Sequence, residues 1–444
     1  MSKHSNITTR RYMVPFILVT TLFFLWGFAR AILDVLNKYF QETLSIGITE
    51  SAWIQVVTYL GYFLMAIPAG MFISRWGYRK GVVFGLMLFA LGAFMFIPSA
   101  RLGTFNAFLL CLFIIACGLV FLETSANPYA TLLGPRETAT SRLNLSQSFN
   151  GMGNFLAPLV IGRFLFDTSD ASGQVDVSLP YMVMGIAVAC IAVVFAFIKL
   201  PEVAPLAQST SDGHIVADLD TDDGPGRTAR QRFASFMRAA NRSPYLDSGK
   251  GRGATFFWGL LALLCYEISE ISINSYFLNF TTGMGFLTSA NASYVLSLAL
   301  VIFMVGRFVG SALMLLISAE RMLLICACGS IVCMAGVLVC GFLCDETLSL
   351  GWLCLTFLIS NYFFESIMFP TIFSMALRGL GHHTKTGSSL LMMTPVGGCG
   401  FLLVAWIAES TMPVMPFFLP LFGFMIVALY AWRSVVASHC RVAA

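Results

Sequence analysis

Twelve runs of about 20 mainly apolar residues recur along the chain, each long enough for an α-helix to cross the hydrocarbon core of a bilayer. They fall near residues 13–37, 51–73, 81–99, 105–131, 143–165, 180–199, 254–280, 290–316, 321–344, 348–375, 386–409 and 413–436. The first follows Arg10 and Arg11, but it is too long for a cleaved signal and lacks a small-residue cleavage site. Composition agrees. Only 11% of the residues are charged and 58% are hydrophobic, whereas a soluble domain is about a quarter charged. The chain reads as an all-α integral membrane protein with twelve transmembrane helices.

Six runs precede and six follow one long polar segment, 201–253. It begins acidic (Asp212, Asp218, Asp220, Asp222, Asp223), turns basic (Arg227, Arg230, Arg232, Arg238, Arg242), and is rich in Gly and Ser. That is a linker composition. The expected organisation is a six-helix half over 1–200, a cytoplasmic linker over 201–253, and a second six-helix half over 254–444. Of the 26 Lys and Arg residues, 21 fall in the segments that share a side with the termini and linker. Three (Lys38, Arg101, Arg163) fall on the other side, and Arg30 and Arg307 lie within runs. Positive loops stay inside, so both termini are expected in the cytoplasm of a plasma membrane, most naturally a bacterial inner membrane, with the chain working as a monomer in the lipid bilayer.

Several function classes drop out. The net charge of +4 follows this topology, so no nucleic-acid partner is expected. The 12 Cys mostly stand singly in apolar runs, as do Cys190, Cys265 and Cys333, and no pair is spaced for zinc. No metal and no cofactor are expected. HExxH, GxSxG and His-rich clusters are absent, which argues against an integral-membrane enzyme. His382 and His383, beside Lys385, read as loop chemistry.

The most informative single residue is Glu123. It is the only carboxylate in Phe105–Leu133, where mid-span placement costs about 2.5–3.5 kcal/mol by insertion scales. Such a group faces a water-filled cavity or a partner rather than lipid. Low dielectric favours the protonated form of a carboxylate. A carboxylate that is neutral facing outside and ionises when wetted from the cytoplasm is what coupling to a proton gradient requires.

An internal echo supports duplication. Glu123 is followed five residues later by Pro128 (ETSANP), and Glu365 five residues later by Pro370 (ESIMFP), in equivalent runs of the two halves. Six plus six helices about a linker is the plan of the major facilitator superfamily, whose halves rock about a central site. The segment GMFISRWGYRKG resembles that superfamily's gating loop at Gly70, Arg75, Gly77, Arg79 and Lys80, with Ser74 where an Asp is usual. More specifically, FLWGFARAILDVLNKYFQ (Phe24–Gln41), GLVFLETSANPY (Gly118–Tyr129), RLNLSQSFNGMG (Arg142–Gly153), GRFVGS (Gly306–Ser311) and FFESIMFPTIFSMALRGLGHHTKTGSSLLM (Phe363–Met392) resemble the fucose:proton symporter family. That family includes transporters for L-fucose, glucose/galactose and N-acetylglucosamine. The resemblance implies that Asp34 and Glu123 match its two functional carboxylates, associated with proton coupling and sugar binding. It also implies that Gln147 and Asn150 match polar positions facing its cavity, and that Glu270 matches a Glu of span 7.

The residues bear their own reading. A sugar site needs bidentate donors and acceptors beside an aromatic face. Asp34, Glu123, Gln147, Asn150, Glu270, Asn274 and Glu365 supply the first, and Trp26, Tyr62, Tyr362 and Phe364 the second. Ser146, Gln147 and Asn150 make a polar stripe on span 5 that lipid would not tolerate. Gln147 and Asn150 are expected to line the sugar site with Glu270 and Asn274.

Each residue also has a plainer reading. Asp34 can be a solvated group at the outer interface, or an ion-pair partner of Arg30 one turn earlier; we expect the pair. Glu270 and Glu365 can be helix-packing groups, and of Glu270 and Glu267, three residues earlier on the same helix face, one can be interfacial. Arg307 between Gly306 and Gly310 reads as structural, its guanidinium seeking a carboxylate or carbonyls while the glycines permit close helix approach. The expectation is a secondary active transporter importing a monosaccharide by proton symport with alternating access. A sodium-coupled transporter and a non-transporting sugar sensor on the same fold remain the alternatives.

Overall fold

The computed structural model describes residues 8, 12–102, 104–134, 139–167, 178–198, 256–285, 287–314, 316–343, 348–378, 380, 387 and 390–442. The linker and the His382–Lys385 loop lie outside the described residues. The membrane helices are α1 (Met13–Leu44), α2 (Trp53–Trp76), α3 (Tyr78–Leu102), α4 (Phe105–Leu132), α5 (Ala139–Asp167) and α6 (Ser178–Phe197) in the first half. In the second half they are α7 (Phe256–Gly283), α8 (Ser289–Leu313), α9 (Ala319–Phe342), α10 (Leu348–Glu365 and Met368–Leu377), α11 (Phe401–Ser410) and α12 (Phe418–Val442). A one-turn helix, Ile48–Ser51, sits between α1 and α2.

Two of the expected spans are not simple apolar helices. Among the described residues ten spans are long and apolar enough to cross a membrane, and α5 and α11 are not among them. Helix α5 has the length, with 29 residues, but its polar stripe lowers its hydropathy. The α11 span starts as a 3-10 helix, Thr394–Gly400, so only ten residues are α-helical. That stretch, TPVGGCG, holds three glycines, and Gly397 and Gly398 press directly against α7 and the Tyr59 ring.

The twofold plan is visible in the packing. In the first half α1 packs on α5, α2 on α4, α3 on α4, and α3 on α6. The second half repeats this with α7 against the α11 span, α8 on α10, α9 on α10, and α9 on α12. Across the halves the same relation holds, since α5 meets α8 while α2 meets the α11 span. One apolar core runs from Phe16 to Phe195, and a second from Phe256 to Ala431 with Ala52 of the first half. Small residues set the closest crossing. A Cβ on Gly27 would enter the space of Asn150, and one on Gly153 the Phe24 carbonyl, so these glycines bring α1 and α5 backbone to backbone.

Helix α10 departs from its repeat partner. Helix α4 runs unbroken to Leu132, but α10 breaks at Ser366–Ile367. Proline lacks an N–H and its ring displaces the carbonyl four residues back, here that of Ser366 under Pro370. The Arg307 Nε donates to this carbonyl at 3.1 Å, and the Tyr266 hydroxyl donates to the Glu365 carbonyl at 3.1 Å. Gly306 and Gly310 let α8 approach the break closely. Arg307 is thus a brace for the kink, matching its structural reading.

Candidate functional site

The residues expected to form a gating loop make a tight corner. Gly77 alone separates α2 from α3, with φ 86° and its N–H on the Ile73 carbonyl at 2.8 Å. Its ψ of 165° puts it in a region essentially reserved for glycine. Arg79 donates from Nε to the Phe195 carbonyl at 3.3 Å and also caps the Ala196 carbonyl, so it holds the last turn of α6. Lys80 lies 5.1 Å from the Trp76 ring centre. Arg75 is exposed and Gly70 half-buried on α2.

A polar centre forms at mid-span where α1, α2, α4 and α7 converge. Arg30 lies 3.8 Å from Glu267 of the opposite half and 5.9 Å from the centre of the Tyr59 ring. The expected Arg30–Asp34 pair is corrected in part: no close ion pair forms between them, though Asp34 stays within electrostatic reach of Arg30. A base N-terminal to an acid is the weaker orientation for a pair one turn apart on a helix, and Glu267 offers a carboxylate across the interface. Of the two glutamates of which one could be interfacial, Glu267 is not, being 2% exposed. Arg30 itself keeps 33% of its side chain accessible, so water reaches this depth.

Glu123 is half-buried and within electrostatic reach of Arg30, Tyr62 and Glu267. Among the described residues it makes no hydrogen bond. Tyr62 is an electrostatic neighbour of Glu123 and lies beside Trp26; the Tyr62 hydroxyl and the Trp26 Nε1 are buried and outside regular hydrogen-bond geometry. Glu270 is half-buried and is an electrostatic neighbour of Arg30, Asp34, Glu267 and Arg307. Asn274, one turn further along α7, has a buried and unpartnered Oδ1.

Asp34 is half-buried rather than solvated. It accepts from the Ser275 hydroxyl at 2.8 Å, and Ser275 accepts from Gln55 Nε2 at 3.0 Å. Gln55 in turn accepts from Asn37 Nδ2 at 3.0 Å. Asp34 is therefore tied to the second half through α7. Sequence reasoning missed Gln55, Ser275 and Asn37; a Gln and an Asn inside apolar runs are the same kind of signal that drew attention to Glu123.

The polar stripe of α5 is split between two duties. Asn150 donates to the Phe23 carbonyl at 3.1 Å and accepts from Asn154 at 3.4 Å, and Ser146 meets the Thr20 hydroxyl at 3.2 Å. These two residues pack α5 onto α1. Gln147 turns the other way, donating to Asn127 of α4 at 3.3 Å, and stays half-buried. Glu365 borders this polar centre, with Glu270 as an electrostatic neighbour, but is sealed from it. It is 0% exposed in the second half, with Asn361 Nδ2 donating to its Oε2 at 2.6 Å. Fully enclosed, it lines no open cavity here, which corrects its grouping with the sugar-site residues.

A helical membrane fold of two repeated halves, with ionisable side chains gathered between them at mid-span, defines a secondary transporter architecture. The model of the Major Facilitator Superfamily matches residues 19–401. The chain is 31% identical to the L-fucose-proton symporter of Haemophilus influenzae, over 97% of this chain and 99% of that protein. It is 30% identical to a glucose/galactose transporter of Brucella abortus, over 93% and 92% of the two chains. The crystal structure of the transporter FucP of Escherichia coli in the outward conformation superposes with a TM-score of 0.65 at 30% identity, covering 96% of this chain and all of that one. The chain belongs to the Major Facilitator Superfamily and, within it, to the fucose:proton symporter family; it is a transporter and not an enzyme.

Proposed function

We propose that this protein imports a monosaccharide of the L-fucose, glucose/galactose or N-acetylglucosamine class by proton symport with alternating access. The observation that carries the reading is Glu123, a mid-span carboxylate with no hydrogen bond, facing Arg30 at the junction of the halves. The names of the relatives support the L-fucose and glucose/galactose members of that class. Glu123 and Asp34 carry the coupling proton. Gln147, Glu270 and Asn274 contribute polar contacts to the sugar beside Trp26 and Tyr62, and Asn150 positions α5. The Gly70–Lys80 corner acts as the gating loop between the first-half helices.

The units are the six-helix halves 1–200 and 254–444 joined by a cytoplasmic linker at 201–253, acting as a monomer in a bacterial inner membrane. With both termini inside, as the 21-to-3 distribution of basic residues supports, the C-terminal end of α1 points outward. Hydrogen bonds between the halves gather toward that end: Asp34–Ser275, Gln55–Ser275, Glu42–Ser289, Thr49–Glu409 and Ser293–Pro158. We read the arrangement as closed to the outside.

The test is reconstitution in liposomes with a pH gradient or a sodium gradient imposed separately, and radiolabelled fucose, glucose, galactose and N-acetylglucosamine offered in turn. Accumulation driven by the pH gradient alone is expected. Accumulation driven only by sodium would replace the proton, and saturable binding of a sugar without flux would make the protein a sensor.

A further inference from the structure

The Glu365–Asn361 pair at the break in α10 has two buried acceptors that no donor reaches, and the Tyr362 hydroxyl near Glu365 is buried without a hydrogen bond as well. Glu365 Oε2 takes the Asn361 amide, but Glu365 Oε1 and Asn361 Oδ1 are both buried without a hydrogen-bond partner. Both residues are 0% exposed. No cation pairs with the carboxylate among the described residues. The surroundings are Tyr266 and Glu270 on α7, Arg307 on α8, Cys333 on α9, and Tyr362 on α10 itself. Arg307, the cation held at the same break, spends its Nε on the Ser366 carbonyl and lies over the Phe303 ring, 4.8 Å from its centre. Glu270 would repel a second negative charge.

A carboxylate enclosed in this way, with one donor and no counter-ion, is among the costliest arrangements in a protein interior. One proton removes the problem. Placed on Oε1, it supplies the donor that the pair lacks, aimed at Asn361 Oδ1. The two groups then form a closed acid–amide ring with the amide N–H on Oε2 and the acid O–H on Oδ1. Both orphaned acceptors are satisfied at once.

We propose that Glu365 and Asn361 form a second proton-binding site, in the second half of the molecule and separate from Glu123 and Asp34. The proposal rests on the proton-symport reading for its role in the transport cycle. Its position gives that role a means. The ring lies where α10 is already broken, with the freed carbonyls held by Tyr266 and Arg307 rather than by the helix itself. A change in the bend moves Glu365 relative to α7 and α9. Once water reaches Oε1, the O–H bond breaks, the proton passes to that water, and the remaining carboxylate keeps its hydrogen bond from Asn361. Rebinding reverses the step. Each cycle then carries one proton at the Glu123 centre and one at Glu365.

Glu365→Gln is the informative variant, because its amide closes the same ring with Asn361 and mimics the protonated acid without being able to release a proton. Infrared spectra of purified protein at neutral pH should show a neutral carboxylic-acid carbonyl band that the variant lacks. In proteoliposomes the number of protons taken up per sugar should fall to about half in the variant. An unchanged infrared spectrum would overturn the site. A lost band with an unchanged proton-to-sugar ratio would overturn it as a transport site, leaving a static neutral acid. Should the wild-type protein take up no protons with any sugar, the symport reading fails instead, and the infrared comparison still decides whether Glu365 holds a proton.

Discussion

Arg30 of α1 and Glu267 of α7 face each other across the two halves, guanidinium to carboxylate, at 3.8 Å. The pair joins helices that are equivalent by the internal repeat, at the depth where the halves meet. It also puts a cation within reach of Glu123 without bonding to it. Removing either partner strands a charge in a largely buried place. Arg30→Ala and Glu267→Gln should each lower sugar uptake, and the double variant should lose less than the sum of the two effects, with a coupling of about 1 kcal/mol or more. Simple additivity in uptake rates would mean that the two side chains work independently.

Glu123→Gln keeps the shape of the side chain and removes its charge. The expected result is loss of gradient-driven accumulation, with sugar exchange between equal pools at least partly retained. Uptake assays with and without a pH gradient separate the two. Full accumulation by the variant at the normal pH dependence would remove Glu123 from the coupling path.

Gln147 and Asn150 share a helix face by sequence but not by environment. With reactive native thiols removed, Gln147→Cys should be labelled by a water-soluble thiol reagent, and sugar should slow the labelling. Asn150→Cys should stay unlabelled, because that position is 8% exposed and its amide is held on the Phe23 carbonyl. Asn150→Ala should lower stability by about 1 kcal/mol through the lost hydrogen bond, read as a shift in thermal unfolding. Rapid labelling at Asn150 would show that α1 and α5 are not packed as described.

Glu42 of α1 and Ser289 of α8 touch through their side chains at the end proposed to be closed. Cysteines at both positions, bridged by a short bifunctional thiol reagent, should stop transport, and a reducing agent that cleaves the bridge should restore it. Either single Cys variant should be indifferent to the reagent. Transport that continues in the bridged protein would mean that this contact does not open during the cycle.

Much of this molecule follows from local chemistry. The length and apolarity of the runs determine the helices, the basic loops suggest their orientation, and the cost of a mid-span carboxylate singles out Glu123. The two halves are legible because duplication repeats a pattern along the chain, as in the paired Glu and Pro of spans 4 and 10. The kink in α10 is not legible in this way, because Pro128 holds the equivalent place in the unbroken α4. What the order of residues does not carry is partner choice between helices far apart in sequence. One-turn spacing offers Asp34 to Arg30, yet the guanidinium finds Glu267, 237 positions further along the chain, and Asp34 finds Ser275. Helical periodicity sets Gln147 and Asn150 side by side, while the glycine-mediated approach of α1 assigns one of them to packing. Glu365 resembles Glu123 by sequence, and only its enclosure with Asn361 separates the two. Such outcomes depend on which side chains two packed helices bring within hydrogen-bonding distance, and that is settled only when the halves assemble.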